Sequence, residues 1–294
     1  MFINAQTLIN ILISFAVILL SGLSFSILYF STKFFNLTQG AIIALGGYFA
    51  WWLSTILRVN LLAASLIAIS SCILLGIGLD QLVYKRLRQQ GIQPIYYLIS
   101  SIALYTILQN LISAIWGDEA KTLSSAFVNP SHELAGGYIT TAQSLLVGLS
   151  LLGFISYILF IRQHVLGKKI RAVSENFDLA RVHGIDSERI LMICTGLGSA
   201  LGALLGLCMS FDTNITPGFG FNLLLSGVVA MIIGGLGSYR GLLYGSLLIA
   251  FLQQIIGFYL GAKWMDCIVY LTLLIFLIWK PFGFSGVRAR KIQI

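Results

Sequence analysis

Nine long stretches of this chain carry no charged residue: 1–32, 34–57, 59–79, 89–117, 134–161, 190–211, 213–239, 241–262 and 267–279. A helix that crosses a bilayer needs about 20 apolar residues to span roughly 30 Å of hydrocarbon. Each stretch supplies that length when tilt and some loop content are allowed. The chain is 58% hydrophobic and 10% charged over 294 residues. Soluble domains hold roughly 25% charged residues. So much apolar surface does not fit inside one aqueous core, and lipid must cover the rest. The expectation is an all-α, polytopic transmembrane helix bundle of eight to ten spans in a single transmembrane domain over 1–294. The N-terminus lacks Lys or Arg before its apolar run and lacks a small-residue cleavage pattern, so it reads as a retained first span.

The basic residues orient the bundle. Lys85, Arg86 and Arg88 share one loop, and Arg162, Lys168, Lys169, Arg171, Arg181 and Arg189 another. Lys280, Arg288, Arg290 and Lys291 form the tail. If the chain crosses at each stretch, 15 of the 18 basic residues fall on one side. Only Arg58, Lys121 and Lys263 oppose them. The positive-inside rule makes the rich side cytoplasmic. The expectation is nine crossings, N-terminus periplasmic and C-terminus cytoplasmic, in a bacterial inner membrane. The net charge of +8 is then loop charge and no mark of nucleic acid. Breaks at residues 36–40 and 237–241 are candidates for discontinuous helices, which are tolerated where they line a cavity.

Two polar segments stand out. Residues 117–141 form the longest polar loop outside, with Asp118, Glu119, Pro130 and Glu133. It is either a solvated loop or a docking site. Residues 164–189 are its inner counterpart, and KKIRAVSENFDLARVHGIDSER has helix grammar. Ser174 reads as an N-cap. Glu175 and Asp178 place negative charge at the positive end of the helix dipole. Phe177, Leu179, Val182 and Ile185 are its apolar residues, Ala180 lies at helical spacing from Phe177, and Gly184 fits a left-handed C′ position. A helix of two to three turns is marginal alone. It needs a partner surface, or it lies on lipid headgroups.

Chemistry-bearing motifs are few. No G-x-x-x-x-G-K-[ST] phosphate loop occurs, and no HExxH, GxSxG or carboxylate pair stands at catalytic spacing. The expectation is that the chain is no enzyme and binds no cofactor. The four cysteines read as buried small hydrophobes. The spans hold almost no charge, whereas ion-coupled transporters keep ionisable groups there. Neutral polar residues remain as candidates to line a solute path: Asn36, Thr38, Gln39 and Gly40 at the first break, Ser100, Ser101, Gln109 and Asn110 in the fourth span, and Thr216. The same residue types also serve as interhelical hydrogen bonders. Glycine clusters at 46–47, at 198/202/206 and at 234–245 read as close-packing faces.

Several motifs resemble one family in the family's order. SENFDLARVHGI is similar to the cytoplasmic coupling segment of the branched-chain amino acid permeases of ABC importers, the LivH-like type. FNLTQGAIIALGGYFA, LDQLVYKRLR with LISSIALYTILQN, TPGFGF with IGGLGSYRGLLYGSLL, and KPFGFSG resemble its other signatures. Family members usually carry His where this chain has Gln39, and Pro-Gly where it has Tyr239-Arg240-Gly241. The resemblance implies one permease domain with a path for branched-chain or other neutral amino acids, urea or short amides being alternatives. It implies a second permease subunit, two ATPase subunits that bind ATP and Mg, and a periplasmic solute-binding protein. It assigns Ser174, Glu175, Phe177, Asp178, Ala180, Val182 and Gly184 to ATPase coupling. A reading from a different class is an ion-coupled secondary transporter or channel.

Overall fold

The computed structural model describes residues 4–123, 130–134, 136–280 and 283–284. The tail residues Arg288, Arg290 and Lys291 and part of the 117–141 loop lie outside them. Each charge-free stretch contains one membrane helix. These are α1 (Ala5–Thr32), α2 (Thr38–Trp51), α3 (Leu61–Leu79), α5 (Pro94–Trp116), α6 (Thr141–Gln163), α9 (Ser187–Asp212), α10 (Phe219–Gly234), α11 (Tyr239–Leu260) and α12 (Met265–Trp279). A π-helical turn at Asp80–Tyr84 joins α3 to α4 (Lys85–Gln89) in one continuous rod. By length and composition, seven helical rods can cross a membrane. The apolar α10 is shorter, and α2 runs on through a π turn at Trp52–Ile56, so seven of the nine expected crossings are met by helices of spanning length and composition.

The bundle is sorted by burial. α1 and α9 run through its centre, buried along most of their length, and α2 is buried almost throughout. The helices α3, α5, α6, α11 and α12 form the rim. Rim side chains such as Leu62, Leu74 and Ile278 are at least 70% exposed. An aqueous protein would not leave such a belt uncovered, and a bilayer covers it. Helices apolar on every side, as these are, belong in lipid or in a large core.

Glycine decides how closely the central helices approach. A Cβ at Gly206 would overlap the Ile43 carbonyl, and one at Gly46 would reach 2.5 Å from the Ala203 backbone. The glycines of α9 therefore let α2 lie directly on it. Gly234 and Gly241 bring α10 and α11 together in the same way.

Both expected breaks exist, each displaced from the expected residues. The first occupies residues 33–37, and Thr38, Gln39 and Gly40 already form the first turn of α2. The second lies between Gly234 and Tyr239. Gly235 and Gly237 have φ of 103° and 88° there, open to glycine without strain. Ser238 then caps α11 through the Gly241 amide at 3.1 Å, so Tyr239 to Gly241 are helical. The first turns of α2 and α10 meet, where a Cβ on Gly40 would lie 3.1 Å from Phe221 Cα.

The described part of the 117–141 segment is more than a plain loop. It holds an antiparallel hairpin, β1 (Ser131–Leu134) with β2 (Gly137–Thr140). Gln6 clamps the hairpin to α1 by accepting from the Tyr138 amide at 2.8 Å and donating to its carbonyl at 3.1 Å. Thr140 and Gln143 form a capping box that starts α6.

Candidate translocation and coupling sites

The first break is held by a closed polar network. Asn36 Oδ1 accepts from the Thr38 amide at 3.1 Å and from the Tyr84 hydroxyl at 3.0 Å. Thr38 Oγ1 lies 2.7 Å from that hydroxyl and donates to the Ser101 carbonyl at 3.1 Å. Ser101 Oγ accepts from the Leu37 amide at 3.2 Å. Gln39 Nε2 donates to Ser24 Oγ and to the Gly198 carbonyl, both at 2.7 Å. Because a carbonyl only accepts, this contact fixes which way the amide points. Asn36, Thr38, Gln39, Gly40 and Ser101 are thus gathered in one place, deep between α1, α2, α3, α5 and α9, and all are buried.

The other candidate path residues sit elsewhere. Ser100 is half-buried on α5. Asn110 is exposed on α5, and its Nδ2 donates to the Thr106 carbonyl at 2.7 Å. Gln109 faces the start of α10, where a Cβ on Gly218 would lie 3.3 Å from its Nε2. Tyr105 packs against Phe221 in a tilted ring pair, with centroids 4.7 Å apart. Thr216 is exposed in the turn before α10. The α5 residues spread around that helix rather than sharing one face, since each step along a helix turns about 100°. Tyr105 and Gln109 are the two that meet the start of α10.

The 164–189 segment, expected to couple to ATPases, folds as two short helices, α7 (Val165–Glu175) and α8 (Phe177–Val182). Ser174 is not an N-cap: it lies within α7, and its Oγ donates to the Arg171 carbonyl at 2.7 Å. The cap of α8 is Asn176, whose Oδ1 accepts from the Leu179 amide at 2.9 Å. α7 continues past Ser174 because its apolar side, Ile170 and Val173, is anchored in the core. Gly184 does end α8, with φ 76°. Its amide donates to the Arg181 carbonyl and that of Ile185 to the Ala180 carbonyl, each at 3.0 Å, which is a Schellman closure.

The side chains of α8 divide cleanly. Ala180 is buried, Phe177 is half-buried, and Glu175, Asp178, Leu179, Val182 and Gly184 are exposed. Val182 is 82% exposed and Leu179 55%. They form a small apolar patch three residues apart on one helix side. α7 of this segment packs against α1, close to the first break. Burial pushes the Lys33 ammonium below its usual pKa, and the charge of Glu175 pushes it back up.

One constellation was not legible in the sequence. Arg88 binds Asp80 with both guanidinium branches, at 2.9 and 3.0 Å, and Glu188 at 2.8 Å. Asp80 is 1% exposed. In a regular helix, residues eight apart are rotated about 80° from each other. The π turn at Asp80–Tyr84 absorbs one residue, so Arg88 takes the place a seventh residue would hold and faces Asp80. Glu188 sits in the first turn of α9, the helix that follows α8. Asp80, interrupting an otherwise charge-free run, was the available signal.

The chain matches the family described as branched-chain amino acid transport system, permease component, over residues 7–278. It belongs to that family. This permease is 25% identical over 280 residues to the high-affinity branched-chain amino acid transport system permease protein LivH of Salmonella typhimurium, covering 91% of this chain and 90% of the relative. It is 26% identical over 297 residues to the corresponding BraD protein of Pseudomonas aeruginosa, covering 96% and 95%. Its fold is similar to that of PsaBC from Streptococcus pneumoniae, solved in complex with Fab, with a TM-score of 0.54 at 13% identity. That match covers 93% of this permease and 92% of the other chain. The permease is therefore a multi-pass membrane protein of a transport family.

Proposed function

We propose that this chain is the membrane-spanning permease subunit of an ATP-driven ABC importer for branched-chain amino acids. The observation that carries the reading is the family match over residues 7–278, joined to an α8 whose apolar Leu179 and Val182 are exposed among the described residues. A pair of ATPase subunits, which bind the ATP and Mg, would cover that patch. Their closure would reach the membrane through α7 and α9, which flank α8. The chain itself binds no cofactor.

Orientation follows from charge. Lys33, Arg88, Arg162, Lys168, Lys169, Arg171, Arg181 and Arg240 gather at the α7–α8 end of the bundle, which is then cytoplasmic. The hairpin β1–β2 is periplasmic and receives a solute-binding protein. The N-terminus is periplasmic and the C-terminus cytoplasmic, and the whole chain acts as one permease domain.

The path runs along α5 and the start of α10, with Gln109, Asn110 and Thr216 against a second permease subunit. An uncharged path suits a zwitterion. The gathered Asn36, Thr38, Gln39 and Ser101 form its closed wall. Reconstitution in liposomes with and without co-expressed ATPases and binding protein tests the proposal. Uptake of leucine is expected only with ATP and all components. Uptake by the chain alone, driven by an ion gradient, would sink it.

A further inference from the structure

A small polar cavity of about 10 Å³ lies between the first break, α3 and α9, lined by Asn36, Gln39, Tyr84, Thr195 and Ser199 among others. This volume is about that of one water centre. Ser199 is 1% exposed, and its Oγ has no partner among the described protein atoms. Gly76 makes the room, since a Cβ there would overlap that hydroxyl.

The lining groups divide into committed and uncommitted atoms. Asn36 Oδ1, Gln39 Nε2, the Tyr84 hydroxyl and Thr195 Oγ1 all have partners. Asn36 Nδ2, Gln39 Oε1 and Ser199 Oγ have none among the described residues, so one donor, one acceptor and one hydroxyl remain. A buried hydroxyl without a partner is strongly disfavoured. A polar cavity with two to four such partners holds water, whereas dry cavities are apolar.

We propose that this cavity is a binding site for one ordered water, which bridges Ser199 on α9 to Asn36 and Gln39 at the start of α2. The water completes the hydrogen bonding of the break and fastens the discontinuous helix to the central α9. All lining groups are neutral and only one free acceptor accompanies the hydroxyl, which suits water and gives too few oxygens for a bare cation.

The sign of one measured shift decides the matter. Ser199→Ala adds nothing bulky, and its gain in helix propensity of about 0.5 kcal/mol opposes the loss expected here, so a fall in melting temperature is all the more telling. If the cavity holds the water, the variant loses a partner of that water. The full chain purified in detergent should then melt about 2–4 °C lower. If the cavity is dry, the variant removes an unsatisfied hydroxyl, and the melting temperature stays or rises, which overturns the proposal. A cryo-EM map that resolves waters gives the second readout. Density within hydrogen-bond distance of Ser199 Oγ is expected, and a clean absence there overturns the site independently of any stability change.

Discussion

Arg88 grips Asp80 in a two-pronged bond at 2.9 and 3.0 Å while its other edge holds Glu188 at 2.8 Å. One side chain thereby ties the C-terminal end of α3 to the first turn of α9. Asp80 is buried, Arg88 and Glu188 keep some exposure, and the three charges sum to −1. Asp80→Asn leaves Arg88 paired with Glu188, so it strands no charge and removes one charge-assisted, two-pronged bond. It should destabilise the chain by about 1.5–3 kcal/mol, seen as a lower denaturation midpoint in detergent. Arg88→Lys should also lower the midpoint, because a single ammonium does not reproduce the planar fork. An Arg88→Lys variant with the native midpoint would contradict this account.

If the proposed function holds, the same triad affects transport. It joins the helix that follows the coupling segment to the membrane rod α3–α4. Glu188→Gln keeps the shape and weakens only the Glu188 arm. The expected result is ATP hydrolysis near the native rate with fewer leucine molecules moved per ATP in liposomes. A proportional fall of both rates would assign Glu188 a purely structural part.

Close packing of α2 on α9 gives a sharper structural test. A Cβ at Gly206 would overlap the Ile43 carbonyl, and both belong to backbones that cannot step aside. Gly206→Ala should therefore lower the melting temperature, by an overpacking penalty of about 1–3 kcal/mol. A Cβ on Gly148, at the rim, would meet nothing within 4 Å. Gly148→Ala should be neutral or stabilising by about 0.5–1 kcal/mol, since it removes a helix-interior glycine. Equal effects at both sites would refute the packing argument.

Hydropathy made the helices legible because membrane burial acts on whole segments: every charge-free stretch yielded one helix. Boundaries were legible only where local chemistry decides them. Gly184 closes α8 as expected, since a φ of 76° suits glycine. Ser174 and Asn176 are both good caps in isolation. The choice fell to Asn176 because Ile170 and Val173 bury one side of α7 and keep the helix running through Ser174. The Asp80–Arg88 pair was hidden by a π turn that shifts the register, which no regular period reveals. The hairpin was missed because strands of four residues leave little alternation to read. Of the candidate site, the chemistry at Asn36, Thr38 and Gln39 was visible. Its closure by Tyr84 and Ser24 depends on contacts far along the chain.

The exposed pair on α8 is the feature most open to direct attack. Leu179 and Val182 are uncovered, whereas Ala180 on the same helix is buried among core residues. Burying one such aliphatic side chain in a partner contributes about 1.5–3 kcal/mol. Leu179→Asp with Val182→Asp should then weaken ATPase binding by at least about 100-fold, or 2.7 kcal/mol. The membrane helices should be untouched, because neither side chain contributes to the core. Co-purification of the ATPase should fail while the chain keeps its melting temperature and its yield in the membrane fraction. Ala180→Asp is the contrasting variant: it buries a charge, so it should lower the melting temperature before any partner is added. If the double variant retains its ATPases, α8 is a surface helix lying on lipid headgroups, and the contact with the motor lies elsewhere.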